Sequence, residues 1–139
     1  VSMVNHTIVD GKNLSDLIKS GNISQSKVEE IVERTKNGGA EIVKHLQKGS
    51  AFYAPASSGI EMAESYLKDQ KKELPCAAYL QGEYGVKDLY VGVPVIIGKK
   101  GVEKVVQINL DENEKKLFQN SIKAVKELFD AAKKIDPSL

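Results

Sequence analysis

The stretch GSAFYAPASSGIEMAESYLKDQKKELPCAAYLQGEYGVKDLYVGVPVIIG, residues 49–98, carries most of the information about the fold. Within it, residues 74–80 (LPCAAYL) are apolar at nearly every position, which predicts a strand covered on both faces. Pro75 indicates that this strand starts near a sheet edge. Residues 89–97 carry Leu, Val or Ile at every second position, which predicts a second strand. The turn at 98–101 (GKKG) leads into a third apolar segment that continues to Leu110, so we predict an antiparallel hairpin.

Two helices are predicted before this stretch. Residues 14–18 indicate a short one, and Ser24 is placed to cap a longer one. A glycine in a helix interior costs about 1 kcal/mol relative to alanine, so Gly38-Gly39 predicts either a bend or the close approach of another backbone. The apolar residues of the longer helix recur at helical spacing: Val28, Ile31, Val32, Thr35, Ile42, Val43 and Leu46.

A third helix is predicted to start near Pro55. Proline suits the first turn of a helix because its missing N–H has no partner to lose there. The predicted packing face of this helix comprises Ile60, Ala63 and Leu67. The small residues at its start are expected to pack against something, and the residues leave two alternatives open: another helix, or a ligand such as a flat cofactor ring.

The last predicted helix begins after Asp111. Together with Glu114 three residues later, Asp111 forms an acidic variant of the capping box. The helix is expected to run to about Lys134, and Asp136-Pro137 ends it. Its apolar stripe comprises Phe118, Ile122, Val125, Phe129 and Ala132.

This order of elements predicts an α+β fold, in which long helices pack on one face of a mostly antiparallel sheet. We expect residues 1–139 to form a single domain, since a chain of this length supports one core. The Gly82-Glu83-Tyr84-Gly85 segment lies between two predicted strands and lacks the third glycine and following helix of a dinucleotide-binding turn. No nucleotide-binding half is therefore predicted within this chain.

The composition favours a small-molecule or protein partner. Lys and Arg number 20 against 19 Asp and Glu, and the net charge is +1. The interspersed charges form no basic stripe of the kind that binding to nucleic acid or anionic lipid requires. No apolar run approaches the roughly 18 residues of a membrane span, and residues 1–7 (VSMVNHT) lack the pattern of a secretory signal. Because Cys76 is the only cysteine, we expect no intrachain disulfide and a reducing, cytoplasmic setting.

Few residues are candidates for chemistry. His6 lies in a polar segment, where we expect a solvated side chain rather than a catalyst, and His45 follows Glu41 by four residues, the spacing of a surface pair on a helix. Neither histidine has the three or four convergent donors of a metal site. Cys76 alternates with apolar residues and is expected to behave as a small buried hydrophobe. Arg34 is the only arginine, whereas a dicarboxylate site usually needs more than one.

The joint set of motifs nevertheless resembles one family closely. The motifs are the helix ERTKNGGAEIV at 33–43, the YAPA segment at 53–56, MAESYLKD at 62–69, LPCAAYL at 74–80 and GEYGVKD at 82–88. Their order from Leu14 to Ala131 is similar to the C-terminal, substrate-side domain of the lactate/malate dehydrogenase family. The YAPA pattern looks more like the malate than the lactate branch.

The resemblance implies that most of the catalytic machinery lies outside this chain. Ser2-Met3-Val4 is similar to the end of a family segment whose catalytic histidine would fall just before Val1. The family's orienting aspartate, its substrate-binding arginines and its NAD-binding Rossmann domain also lie upstream. No catalytic residue is therefore expected among residues 1–139. Ala51 and Pro55 match the positions that line the pocket beside substrate and nicotinamide.

These inferences lead to one main hypothesis and two alternatives. The main hypothesis is that this chain is the substrate-side domain of an NAD-dependent malate dehydrogenase. As an isolated chain it is expected to be inactive and not to bind NAD tightly. By resemblance its partners are a dicarboxylate 2-hydroxy or 2-oxo acid, the missing NAD-binding domain and further copies in a dimer or tetramer. We expect exposed apolar surface at residues 51–59 and on the outer stripe of the last helix.

The first alternative is that the chain is a free-standing oligomerisation or interaction module. The departure from the family pattern at residues 5–11 supports this alternative. The second is the same domain of a lactate dehydrogenase. Retention of the pocket-lining segment in family form favours the main hypothesis, because a bare structural module would have no need of it.

Overall fold

A computed structural model describes residues 2–138 of the chain. These residues form two compact units by their contacts, Ser2–Pro55 and residues 56–138.

The first unit contains a hairpin near its start that was not predicted from the sequence. A single 3₁₀ turn, Val4–His6, precedes strands β1 (Ile8–Val9) and β2 (Lys12–Asn13), which pair antiparallel. Asp10 and Gly11 join the strands with φ of 48° and 76°. Positive φ at both central residues is what a type I′ hairpin turn requires, and Asp-Gly is one of its preferred sequences.

Helices α1 and α2 complete this unit. Helix α1 spans Leu14–Lys19 and α2 spans Gln25–Leu46. The Ser24 hydroxyl accepts a hydrogen bond from the Lys27 N–H at 3.2 Å, which confirms the predicted cap. Helix α2 ends because Gln47 adopts a left-handed conformation with φ of 60°, and its N–H donates to the helix.

The glycine pair does not interrupt α2. The helix is continuous through Gly38 and Gly39, and beyond the helix's own backbone no described atom lies within 4 Å of a Cβ built at either position. The predicted close approach of another backbone is therefore wrong within the described residues. Val28 is the one described residue of α2 that is buried, whereas Ile31 and Leu46 are about half-exposed. Most residues of the predicted stripe are therefore exposed in this chain.

The second unit combines an antiparallel sheet with two helices. Helix α3 (Tyr53–Leu67) begins in the first unit and continues into the second. Strands β3 (Lys72–Gln81), β4 (Lys87–Gly98) and β5 (Gly101–Val105) follow, and α4 (Glu112–Ile135) is the last helix. The strand order is β3-β4-β5, with both pairs antiparallel. The predicted hairpin of β4 and β5, with its two-residue turn, is confirmed.

The core of this unit lies between the inner face of the sheet and α4. Every second residue of β4 from Leu89 to Ile97 is buried, as the alternation predicts. Helix α4 adds Phe118 and Ile122 to the same cluster. Val125 packs against the same cluster, whereas Phe129 is exposed, so the predicted stripe packs on the sheet only as far as Val125.

Both ends of α4 agree with the prediction. The Asp111 carboxylate accepts from the Glu114 N–H at 2.8 Å, and the Glu114 carboxylate accepts from the Asp111 N–H at 3.0 Å. This is the reciprocal capping box. The helix ends at Ile135, directly before Asp136-Pro137.

The prediction that β3 is covered on both faces is wrong for the described chain. Cys76, Ala78 and Leu80 are buried, whereas Pro75 and Tyr79 lie on an exposed face. Burial therefore alternates strictly along this apolar run. The exposed face carries small or amphipathic side chains, so the alternation is not visible from hydrophobicity alone. The position of β3 at the sheet edge agrees with its proline.

The third strand is shorter than predicted because a side chain satisfies the backbone beyond its end. Strand β5 ends at Val105 and does not reach Leu110. The Tyr84 hydroxyl donates to the Val106 carbonyl at 2.8 Å and accepts from the Ile108 N–H at 3.0 Å. Backbone groups that would otherwise require a ladder partner are paired in this way.

Helix α3 turns a different side to the sheet from the one predicted. Ile60 and Leu67 are 63% and 77% exposed, and Ser65 is the buried residue of the helix at 0%. At about 100° per residue, Ser65 lies on roughly the opposite side of α3 from Ile60, Ala63 and Leu67. The side of α3 that meets the sheet is therefore polar.

Candidate functional site

The candidate pocket segment begins where α2 ends. Gly49 has φ of +94°, and a Cβ built there would lie 3.4 Å from the Phe52 ring. Glycine is favoured at this position because the left-handed conformation is strained for other residues. The chain then runs through Ala51 into the first turn of α3, where Pro55 is the third helical residue.

The two predicted lining residues lie close together in sequence and on one unit. Ala51 is half-buried and Pro55 is exposed. Neither side chain can donate or accept a hydrogen bond or exchange a proton, so their contribution is shape. Pro55 also costs the helix no hydrogen bond in its first turn. Their role in lining a pocket stays a prediction.

Large apolar side chains are exposed in this segment and, in the other unit, on α4. Phe52 is 62% and Tyr53 91% exposed. On α4, Leu128 and Ile135 are also exposed. Exposed apolar side chains were expected at both places, and they are present in the described residues.

The single arginine of the chain is already paired. Arg34 Nε and Nη2 donate to the two carboxylate oxygens of Glu41 at 3.2 and 2.9 Å. This bidentate pair raises the pKa of Arg34 and lowers the pKa of Glu41, mainly through the hydrogen bonds themselves. Both side chains lie on the surface of α2, where such pairs contribute little to stability. Arg34 forms no substrate clamp here.

The predicted interaction between Glu41 and His45 is weaker than the one between Glu41 and Arg34. Arg34 occupies the carboxylate, and His45 adds only a weaker electrostatic effect that lowers the pKa of Glu41. His45 lies beside Gly38 and Ile42 in a shallow groove along α2. His6 is exposed in the 3₁₀ turn near the start of the chain. The two histidines therefore lie on different elements, the 3₁₀ turn and α2.

Cys76 behaves as predicted for a buried hydrophobe. Its side chain lies in the core on the inner face of β3. Burial raises the pKa of the thiol, which disfavours the reactive thiolate. The thiol is therefore unsuited to nucleophilic chemistry in this structure.

Two kinds of site were considered from the sequence, a metal site and a glycine-rich phosphate-binding turn. Within residues 2–138, no group of three or more His, Cys, Asp or Glu side chains could hold a metal ion. The turn Glu83–Gly85 joins β3 to β4, so no helix N-terminus comes after it to receive a phosphate. That turn therefore does not form a dinucleotide-binding site of this kind.

Two polar residues that organise the second unit were missed by the sequence analysis. The Ser65 hydroxyl donates to the Ile97 carbonyl at 2.6 Å and accepts from the Lys72 N–H at 3.2 Å. Tyr84, besides pairing with the backbone beyond β5, packs its ring against Phe118 with centroids 5.2 Å apart. A lone serine opposite an apolar helix stripe is the only signal for Ser65, and such a serine is usually solvent-facing.

No helix in the described part of the chain is long and apolar enough to cross a membrane.

Comparison with known proteins identifies the family. The sequence model of the family described as the lactate/malate dehydrogenase alpha/beta C-terminal domain matches residues 1–135. A malate dehydrogenase of Pelagibacter ubique is 65% identical over 139 residues, which is 100% of this chain and 43% of that protein. The chain therefore spans less than half the length of this curated relative.

Solved structures show the same fold. A malate dehydrogenase of Cryptosporidium parvum superimposes with a TM-score of 0.92 at 46% identity, covering 95% of this chain and 42% of that one. A lactate dehydrogenase of Eimeria maxima, solved with NADH and oxamate, gives a TM-score of 0.92 at 41% identity and covers 97% and 42%. The predicted α+β class and the predicted resemblance are both confirmed. The chain belongs to the family of lactate/malate dehydrogenase C-terminal domains.

Proposed function

We propose that this chain is the substrate-side domain of an NAD-dependent malate dehydrogenase. In the complete enzyme, malate is oxidised to oxaloacetate and NAD receives the hydride. The observation that carries the proposal is the high identity to a malate dehydrogenase along the whole chain. The lactate dehydrogenase of Eimeria maxima matches equally well in fold but less well in sequence than the malate dehydrogenase of Cryptosporidium parvum. The YAPA segment at 53–56, which resembles the malate branch, supports the same substrate.

The chain's own contribution to the site is steric. Ala51 and Pro55 would line the pocket beside substrate and nicotinamide, where small side chains leave room for a flat ring. Their position at the start of α3, next to the tight Gly49 turn, is compatible with this role. Added side-chain volume at either residue would change the fit of the substrate without altering any proton transfer.

The isolated 139-residue polypeptide should not catalyse the oxidation of malate. Its one arginine is paired with Glu41, its one thiol is buried, and its histidines lie on an α2 surface and in the first 3₁₀ turn. Catalysis of hydride transfer from a dicarboxylate requires a positioned base and a carboxylate clamp together. Tight binding of NAD to the polypeptide alone is likewise not expected.

The experiment that tests this proposal measures NADH formation from malate and from lactate. The complete dehydrogenase that contains this domain should reduce NAD with malate far faster than with lactate, and the 139-residue polypeptide at the same concentration should give no signal above the buffer. Turnover by the polypeptide would contradict the proposal that the catalytic residues lie outside it. Preference for lactate would establish the lactate branch instead, and an inactive native product of about 15 kDa would support the free-standing module.

We also infer a homo-oligomer, a dimer or tetramer, in a cytoplasmic setting. The exposed apolar residues of α3 and α4 support assembly, and the reduced, buried Cys76 is compatible with the setting. Sedimentation of the complete enzyme at micromolar concentration should show more than one copy. A clean monomer at high concentration would contradict the assembly.

A further inference from the structure

Two dipeptides of the chain are chemically prone to rearrangement, Asp10-Gly11 and Asn37-Gly38. In each, the backbone nitrogen of the glycine can attack the side-chain carbonyl carbon of the residue before it, which closes a five-membered imide ring. Glycine leaves this approach open because it has no side chain. The sequence holds one Asp-Gly and one Asn-Gly pair. Both lie in the first unit, where the structure surrounds them differently.

Asp10-Gly11 forms the exposed tip of the β1–β2 hairpin. Within residues 2–138, the Gly11 N–H has no acceptor and the Asp10 carboxylate has no hydrogen-bond or ion-pair partner. Each flanking strand is two residues long and exposed, and a hairpin of this size is marginally stable at best. The backbone at residues 10–11 therefore reorients at little cost in free energy.

Asn37-Gly38 lies inside the 22-residue helix α2. The Asn37 side chain is held in place, because its Nδ2 donates to both the backbone carbonyl and the carboxylate of Glu33 at 3.0 Å. In an α-helix the N–H of residue 38 donates to the carbonyl four residues earlier. The glycine nitrogen must give up that bond before it attacks, so the reaction at Asn37 requires local opening of the helix.

The reaction at Asp10 balances with water alone. The Gly11 nitrogen bonds to Cγ of the protonated carboxyl, and the amide hydrogen leaves with the carboxyl hydroxyl as water. Water then opens the imide ring at one of its two carbonyl carbons. Attack at Cγ restores aspartate. Attack at the former backbone carbonyl carbon gives isoaspartate, in which the chain continues through Cγ and the α-carboxylate is free.

We propose that Asp10 is a site of spontaneous isoaspartate formation in the folded chain, and that α2 protects Asn37 from the corresponding loss of ammonia. The protected pair is the more reactive one by sequence, since a neutral amide is a better electrophile than an ionised carboxylate. Isoaspartate adds one methylene to the backbone of a two-residue turn, so we expect the pairing of Val9 with Lys12 to be lost. The reaction needs no second domain and no ligand, so it goes beyond the proposed function and does not rest on it.

The first test follows the wild-type chain of 139 residues in water enriched in heavy oxygen. Each opening of an imide ring adds one labelled oxygen. Digestion after lysine separates residues 1–12 from residues 37–44, and fragmentation in the mass spectrometer assigns the label to a residue. In buffer, label should enter at Asp10 faster than at Asn37 by about tenfold or more, since Asn37 reacts only when the helix opens. In urea the order should reverse, because both positions are then accessible.

Asp10→Asn gives a matched comparison of one dipeptide in two surroundings. The variant carries an Asn-Gly pair at the hairpin tip besides the one in α2, so the dipeptide is the same at both positions. Asn-Gly is a preferred sequence for a type I′ turn, so the hairpin is retained. In buffer, the amide at position 10 should be lost faster than that of Asn37 by about tenfold or more. In urea the two rates should agree to within about twofold.

Faster reaction at position 10 that is confined to the folded chain supports the inference. Equal rates at positions 10 and 37 of Asp10→Asn in buffer would overturn it, because the fold would then make no difference to the reaction. The product is checked in the wild type with a protease that cleaves before aspartate but not before isoaspartate. Its cut between Val9 and Asp10 should fade as label accumulates, and an undiminished cut would overturn the modification itself.

Discussion

Helices α3 and α4 carry apolar residues at similar spacing, yet only α4 buries them against its own sheet. Phe118 and Ile122 of α4 lie in the core, whereas Ile60 and Leu67 of α3 are exposed and Ser65 meets the sheet. An apolar stripe therefore indicates that a helix has a packing face, but not which surface that face meets. In α3 the stripe is directed away from the sheet.

A matched isoleucine pair should give the greatest difference between the two helices. Ile122→Ala on α4 removes a side chain that is 5% exposed and should lower the free energy of unfolding by about 2–5 kcal/mol. Ile60→Ala on α3 makes the same change at an exposed site and should stay within about 0.5 kcal/mol. Urea unfolding of the 139-residue chain measures both. Equal losses in the two variants would contradict the contrast, since they would mean that α3 also buries its stripe.

An intermediate effect is expected at the start of α4. Asp111→Ala removes one half of the reciprocal capping box with Glu114 and should destabilise the chain by about 1 kcal/mol. Asp111→Asn retains an oxygen acceptor for the Glu114 N–H and should recover most of that loss. The midpoint of urea unfolding distinguishes the two. If the alanine variant matches the wild type, α4 is held by its buried stripe alone.

The pH dependence of the hydrogen bond between Asp69 and the Lys99 N–H should be the weakest of these effects. The hydrogen bond from the Lys99 N–H holds the pKa of Asp69 below its ordinary value of 3.8. Because the folded-state pKa is the lower one, the stabilisation is fully present above about pH 4 and is lost as the pH falls through the folded-state pKa. Unfolding midpoints measured from pH 6 downward should therefore fall less steeply for Asp69→Asn than for the wild type.

Asp130→Asn on α4 controls for the change in net charge in this experiment. A wild-type slope in Asp69→Asn would show that the carboxylate of Asp69 does not contribute to the stability of the folded chain. Other carboxylates with lowered pKa, such as Glu64 beside Lys68, lose stabilisation in the same acid range, so the difference between variants is the quantity that matters.

Local signals predicted the elements whose causes lie within a few residues. Ser24, Asp111 and Asp136-Pro137 mark helix ends through contacts with neighbouring backbone, and the structure bears out all three. The alternation in β4 indicates its buried face because the side-chain period of a strand is two. The hairpin at Asp10-Gly11 carried an equally local signal, and it was missed because the surrounding residues are polar and few.

Contacts distant in sequence could not be predicted in this way. Strand β5 ends early because the Tyr84 hydroxyl, more than twenty residues away, pairs with the backbone beyond it. The Glu41 carboxylate pairs with Arg34 seven residues away rather than with His45, since the guanidinium offers two parallel donors. For the candidate site, the resemblance predicted Ala51 and Pro55 as lining residues, but only the folded chain shows that α3 is attached to its sheet through Ser65.

The helices, the strands β3, β4 and β5, and the family could be read from the amino-acid sequence, because propensity, capping and periodicity act over a few residues and a long series of motifs is specific. Which face of α3 and of β3 is covered became apparent only in the folded chain. Burial depends on the surface that an element meets, and the same kind of apolar stripe is core in α4 and open surface in α3.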